Sequence, residues 1–192
     1  AMFDVGGAEV AEDVVSSIVS EWGCPKVLVN NAGIIGKATT VSDLPDDALA
    51  RTFEVNVYGT IYCAREAIQR MATSKGGRGG VIINVSSVAA RLGSPGEYVH
   101  YAASKAAVET FTIGLAKEIG GEGIRVNALQ AGTTDTDIHK SSGNPDRPAM
   151  VAAMSPLGRV ASADEIAAGI LWLASPESSY VTGAVVPVSG GL

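Results

Sequence analysis

The chain has 192 residues, 46% of them hydrophobic and 18% charged, which suits one globular domain with a core of its own. Its formal net charge of −6 argues against nucleic acid or an anionic membrane surface as a partner. No apolar run reaches the ~18 residues that a spanning helix needs. The two cysteines, Cys24 and Cys63, make neither a disulfide framework nor a zinc spacing, so two free, buried thiols are expected. The first stretch carries Asp4, Glu9, Glu12 and Asp13 and no basic residue before Lys26, unlike a secretory signal. A reducing, cytoplasmic setting is the expectation.

Residues 8–21 are acidic and amphipathic and predict a helix. Val27-Leu28-Val29 is the first of four β-rich runs. Ser42-Asp43-Leu44-Pro45 is a helix start signal, and the helical stretch 46–72 after it is long enough to hold a bend. Residues 73–80 are glycine-rich but lack phosphate-loop spacing and follow no strand, so they read as a connector. Val81-Ile82-Ile83-Asn84-Val85 is the second strand run; like the first, it is apolar as strands buried on both faces are. Residues 99–119 set Ala107, Phe111, Leu115 and Ile119 at four-residue spacing, a helix. Ile124-Arg125-Val126-Asn127-Ala128-Leu129 is the third strand run. The 139–156 segment, rich in Ser, Gly, Asn and Pro, reads either as a lid over a substrate or as a disordered excursion. Ser162 caps a helix over 163–174, and Ala184-Val185-Val186-Pro187-Val188 is the last strand run.

Strands alternating with helices predict an α/β domain with a parallel sheet. Ligands of such sheets bind beyond the carboxyl ends of the strands. The residues there are Asn30-Asn31-Ala32-Gly33, Ser86-Ser87, Gln130-Ala131-Gly132 and Ser189-Gly190-Gly191, all small or polar.

Tyr101-Ala102-Ala103-Ser104-Lys105 puts a phenol and an ammonium on one face of the 99–119 helix. A free tyrosine, with a pKa of ~10, is about three units too basic for proton transfer near pH 7. A neighbouring cation favours phenolate and narrows that gap. By itself the spacing is equally that of an ordinary helix-surface pair.

Its neighbours in the chain add weight. Asn30-Asn31-Ala32-Gly33 after a strand, Asn56 within Val55-Asn56-Val57, Ile83-Asn84-Val85-Ser86-Ser87, then Tyr101 and Lys105 follow in this order. Pro156-Leu157-Gly158-Arg159, Tyr180-Val181-Thr182-Gly183 and the Val188-Ser189-Gly190-Gly191 ending complete the set. From about Asp4 onward the chain resembles the short-chain dehydrogenase/reductases. That resemblance implies a single Rossmann-like domain over residues 1–192, a doubly wound parallel sheet in three α/β/α layers. It implies an NAD- or NADP-dependent oxidoreductase acting on a small alcohol or carbonyl substrate.

The same resemblance implies roles. Tyr101 would be the general acid/base, and Ser87 would hold the substrate oxygen while Ser86, being adjacent, faces elsewhere. Lys105 would bind the nicotinamide ribose and depress the Tyr101 pKa. Asn56 would hold a relay water; the plainer reading, a buried asparagine serving a bent helix backbone, is compatible with it. Asp4 and Val5 would lie beside the adenine ring, with Asn31, Ala32 and Gly33 at the adenine-side ribose. Gly132, Thr134 and Thr136 would clasp the nicotinamide carboxamide, with Ala131 where the family usually has proline. His100, about 100° round the helix from Tyr101, and His139 are not read as catalytic, and no cluster of residues suggests a metal.

The glycine-rich pyrophosphate turn of that family has no counterpart in the chain. The sequence reads as starting at the end of a third strand, Ala1-Met2-Phe3-Asp4-Val5, with two crossover units of ~30 residues each missing before it. Val27–Val29 would then lie at an exposed apolar edge. The residue that separates NAD from NADP would sit in the missing part, so both stay open. A non-catalytic relic or scaffold domain that has lost cofactor binding is the alternative to the enzyme, and dehydratase or epimerase chemistry is a third reading. Local resemblance around Ser87–Lys105 points toward sugar-, polyol- or ketoacyl-reducing members. The resemblance also implies a homodimer or homotetramer built through the long helices.

Overall fold

A computed structural model describes residues 4–192, so the first three residues of the expected initial strand lie outside the described part. Four parallel strands, β1 (Val27–Asn30), β2 (Gly80–Ser87), β3 (Ile124–Ala131) and β4 (Val185–Val188), form one sheet in the order β1-β2-β3-β4. Parallel neighbours need long crossovers, and helices supply them. These are α1 (Ala8–Trp22), α2 (Asp46–Phe53), α3 (Gly59–Met71), α4 (Ala89–Leu92), α5 (Val99–Ile119), α6 (Ile138–Ser141), α7 (Arg147–Ala152) and α8 (Ala163–Ala174).

The sheet is doubly wound because its strands are apolar on both sides. On one face Ile82, Ile124 and Val126 pack with Ala64, Ala67 and Met71 of α3 and with Leu115, Ala116 and Ile119 of α5. On the other, Val81, Ile83 and Leu129 pack with Ile166 and Leu173 of α8. Adjacent residues of one strand thus serve opposite cores, as the two-residue period of a strand demands.

β1 departs from the expectation of a strand buried on both faces. It is the edge of the described sheet, and Val27 and Val29 keep 40% and 39% of their surface exposed. Cys24 likewise is exposed rather than buried, whereas Cys63 is buried, and both thiols are free. The long 46–72 stretch does bend: a π-helical turn, Glu54–Tyr58, separates α2 from α3. The 139–156 segment is not plain loop, for it contains α7 and most of α6. The glycine-rich 73–80 connector runs into the foot of β2, where a Cβ on Gly79 would come 2.3 Å from the Gly123 carbonyl oxygen. α8 starts with a capping box in which the Ser162 hydroxyl accepts from Glu165 N at 3.3 Å and Glu165 Oε2 accepts from Ser162 N at 2.9 Å. No helix among the described residues is long and apolar enough to cross a membrane.

Candidate active site

The carboxyl ends of β1, β2 and β3, the first turns of α5 and the 138–154 segment enclose a cavity of about 570 Å³. Of the residues singled out above, Ser87, Tyr101, Lys105, Asn31, Gly33, Gly132, Thr134 and Thr136 line it. Asn56 stands directly behind Gly33, while Asp4, Val5 and Ala32 lie off the cavity wall. Asp4 is held by an ion pair with Arg51 and accepts from Gly6 N at 3.0 Å. Val5 packs on Gly59, where a Cβ would come within 2.7 Å of its Cγ2.

Tyr101 and Lys105 occupy one face of α5, with the Lys105 Nζ 5.9 Å from the centre of the Tyr101 ring. Lys105 is 5% exposed, and its ammonium donates to the Val85 carbonyl oxygen at 2.8 Å. Burial lowers its pKa to about 8. Burial pushes the Tyr101 phenol above its ordinary value, opposed by a hydrogen bond with the Ser87 hydroxyl and by the charge of Arg147. Arg147 adds a cationic pull on the phenol. The Lys105 ammonium is turned to the strand carbonyl, while Arg147 reaches over from α7.

Ser86 and Ser87 do face opposite ways. The Ser86 hydroxyl donates to Glu109 at 2.7 Å, and Gln130 Nε2 donates to the same carboxylate oxygen at 2.8 Å. Together they tie the ends of β2 and β3 to α5. The Ser87 oxygen, on the cavity side, accepts from Ala89 N at 3.2 Å, which fixes it at the start of α4. The turn 93–96 between α4 and α5 absorbs the extra residue before Tyr101, with Gly93, Ser94 and Gly96 all at positive φ.

Asn56 sits in the π-helical turn and is fully buried. Its side chain accepts from Ile34 N at 2.8 Å and donates to Ile34 O at 2.9 Å. The same amide nitrogen donates to the Ser104 hydroxyl at 2.9 Å. The asparagine thus serves the loop after β1, and not the bent helix, as its plainer reading had it. The helix carbonyl at Asn56 is instead taken by the Thr60 hydroxyl, at 2.9 Å. Ser104 passes the link on by donating to the Tyr101 carbonyl at 2.7 Å. Ser104 lies between Tyr101 and Lys105 in the chain, but only the fold reveals that it joins Asn56 to the helix of Tyr101. Arg147 had no sequence signal at all.

The groups present fit the nicotinamide half of a dinucleotide. A Cβ at Gly33 would come within 3.3 Å of both Asn56 Oδ1 and Lys105 Nζ, so the missing side chain keeps open the space between them. Gly132 has backbone of Ser189 at 2.7 Å from where its Cβ would be, so only glycine lets the two segments cross there. The segment beyond it is braced by a bridge between Thr134 and Ala161 and by the Thr134 hydroxyl donating to Gly132 O at 3.0 Å. His100 lies outside the cavity wall, against Gly36 and the Ile35 backbone, whereas His139 is part of it.

A doubly wound parallel sheet carrying Ser87, Tyr101 and Lys105 at its ligand-binding edge defines an NAD(P)-dependent oxidoreductase. The comparisons with known proteins agree. The family model described as enoyl-(acyl carrier protein) reductase matches residues 1–192. Over 164 residues the chain is 49% identical to the uncharacterized oxidoreductase YgfF of Escherichia coli, covering 85% of this chain and 66% of that protein. It is 37% identical over 191 residues to L-rhamnose 1-dehydrogenase (NAD(P)(+)) of a Sphingomonas species, covering 98% of this chain and 73% of that one. The crystal structure of NAD+-bound xylitol dehydrogenase superposes with a TM-score of 0.90 at 28% identity, covering 100% of this chain and 78% of the other. The chain belongs to the short-chain dehydrogenase/reductase family.

Proposed function

We propose that the protein moves hydride between a nicotinamide, of NAD or NADP, and an alcohol or carbonyl substrate, with Tyr101 as general acid/base. The observation that carries this reading is that Ser87, Tyr101 and Lys105, from β2 and α5, meet in one cavity and share one hydrogen-bonded and charged environment. The nicotinamide, when bound, supplies the hydride in reduction and takes it in oxidation.

In reduction Tyr101 gives its phenolic proton to the substrate oxygen; in oxidation the phenolate takes it. Ser87 donates a hydrogen bond to that oxygen and orients it. Lys105 keeps two ammonium protons beyond the one given to Val85, and these would be available to the ribose hydroxyls of a bound cofactor. With a pKa of about 8, Lys105 can also pass a proton on near neutral pH, through a water in the space that Gly33 leaves beside Asn56. Asn31, Gly33, Gly132, Thr134 and Thr136 would hold the cofactor along the strand ends, with Ala32, Asp4 and Val5 on the adenine side.

Turnover of an alcohol with NAD+ or NADP+, compared between the wild type and Tyr101→Phe, tests this. The variant should lose about 10²–10⁴-fold in rate and still quench or enhance NADH fluorescence on binding. Near-normal turnover by the variant would overturn it. The scaffold alternative, a domain that has lost cofactor binding, is not favoured by the likeness to a named dehydrogenase and to an NAD+-bound structure, and the Asn56–Ser87–Tyr101–Lys105 set argues for hydride transfer over dehydratase or epimerase chemistry. A cytoplasmic setting is supported by the acidic composition and the two free thiols. Self-association as a homodimer or homotetramer is supported by the exposed Ile113 on α5 and the exposed Leu171 and Trp172 on α8, and light scattering of the purified protein tests it.

A further inference from the structure

Glu109 has no part in the proton chemistry above, yet two buried side chains converge on it. It follows Tyr101 by eight residues and Lys105 by four, on the same side of α5. Its Oε1 accepts from the Ser86 hydroxyl at 2.7 Å and from Gln130 Nε2 at 2.8 Å. Ser86 and Gln130 are register partners near the ends of β2 and β3, and they are 2% and 1% exposed. The Ser86 hydroxyl also lies 3.3 Å from the Lys105 carbonyl oxygen.

Each of the two strand residues is followed by residues that line the cavity. Ser87 comes after Ser86, and Ala131 and Gly132 come after Gln130. Tyr101 and Lys105 ride on the helix itself. One carboxylate oxygen thus joins three segments: β2 with the hydroxyl for the substrate oxygen, β3 with the turn toward the nicotinamide, and α5 with the proton donor. Elsewhere α5 meets the sheet through apolar contacts, Leu115, Ala116 and Ile119 against Ile82, Ile124 and Val126. Such contact is non-directional and lets a helix slide. A short hydrogen bond does not, because it weakens steeply as its geometry degrades. A slip of one residue along α5 is about 1.5 Å. A misplacement of about 1 Å at a reacting group can cost about 10²-fold in rate.

We propose that Glu109 is a positioning residue, whose grip on Ser86 and Gln130 sets the height of Tyr101 and Lys105 against Ser87 and against the turn at Gly132. This rests on the hydride-transfer reading given above. Glu109 lies off the cavity wall, so it acts through the segments it joins and not on the substrate. A second tie, Asn84 Nδ2 donating to Thr112 Oγ1 at 2.8 Å, lies three residues further along the helix. With the apolar core it keeps α5 docked when Glu109 is changed, while the end that carries Tyr101 loses its register.

The test follows oxidation of xylitol, sorbitol and 2-pentanol with NAD+ and NADP+, and continues with the pair that the wild type turns over fastest. The amide oxygen introduced by Glu109→Gln can accept both hydrogen bonds, so its kcat should stay within about 3-fold of the wild type. Glu109→Ala should lower kcat by about 10–100-fold. Its affinity for the reduced cofactor, read by fluorescence, should change by less than about 3-fold, and the acidic limb of its kcat/KM profile should stay in place, because geometry and not charge has changed at the phenol. If Glu109→Ala does not fold, Gln130→Ala removes one of the two bonds and should lower kcat by about 10-fold with the same pattern. A kcat within about 3-fold of the wild type in the alanine variant would overturn the role. So would an equal loss in Glu109→Gln, or a parallel fall of kcat, cofactor affinity and thermal stability, which would leave Glu109 a purely structural residue. Those results leave hydride transfer standing where Tyr101→Phe abolishes the wild-type rate. No reduced cofactor formed from any of the three alcohols would overturn hydride transfer itself and this role with it.

Discussion

Asn56 and Ile34 clasp each other by two hydrogen bonds, with Asn56 Oδ1 taking the Ile34 N–H at 2.8 Å and Asn56 Nδ2 giving to the Ile34 carbonyl at 2.9 Å. The side chain of one residue thereby replaces the strand partner that the backbone of the other would otherwise need. The clasp joins a π-helical turn to the loop after β1, and it continues through Ser104 to the helix of Tyr101. A shift of this one asparagine would be felt at the loop, the turn and the backbone of the Tyr101 helix together.

Asn56→Ala should therefore destabilise the fold by about 2–3 kcal/mol, because it strands two backbone groups of Ile34 in a part-buried site. Urea unfolding of the two proteins reads this directly. A loss below about 0.5 kcal/mol would mean that the Ile34 backbone finds other partners.

Lys105 makes stability depend on pH in a known direction. Its pKa in the fold is about 8, against 10.5 for the free side chain. Below pH 8 both states hold the proton and the burial penalty is fully present. Between pH 8 and 10.5 the unfolded chain binds more protons, so this group makes stability rise with pH. Relative to Lys105→Met, the wild type should gain roughly 2 kcal/mol between pH 7 and pH 9.5. Denaturation at both pH values checks it, and a gap that stays constant would contradict the buried, charged lysine.

Arg147 favours the Tyr101 phenolate from across the cavity. Removing that charge in Arg147→Met should raise the phenol pKa. In alcohol oxidation the phenolate is the active form, so the acidic limb of the kcat/KM profile should move to higher pH. An unmoved limb would show that the charge is screened in solution.

Gly132→Ala should cost about 1–3 kcal/mol through overpacking, since the new methyl would sit 2.7 Å from Ser189 Cα. The same change pushes the clasp at Thr134 and Thr136 out of line, so the affinity for NADH should fall with it. Thermal unfolding and fluorescence titration measure the two effects.

Much of this molecule was legible in the order of its residues. Strand runs and helix periodicity are local patterns, so β2, β3, α5 and α8 fall where hydropathy and the Ser162 cap put them. The Tyr101–Lys105 spacing is likewise local, because four residues on a helix always share a face. What tertiary structure alone decided is who stands opposite. Nothing within reach of Arg147 in sequence marks it as the neighbour of Tyr101, since the two lie 46 positions apart and meet only through the fold of the 138–154 segment. Asn56 was readable as important, but its partner, the Ile34 backbone, carries no side-chain signature to be read. That Ser86 and Gln130 share one oxygen of Glu109 is likewise invisible in a sequence, because a hydrogen bond is a property of surroundings and not of a residue.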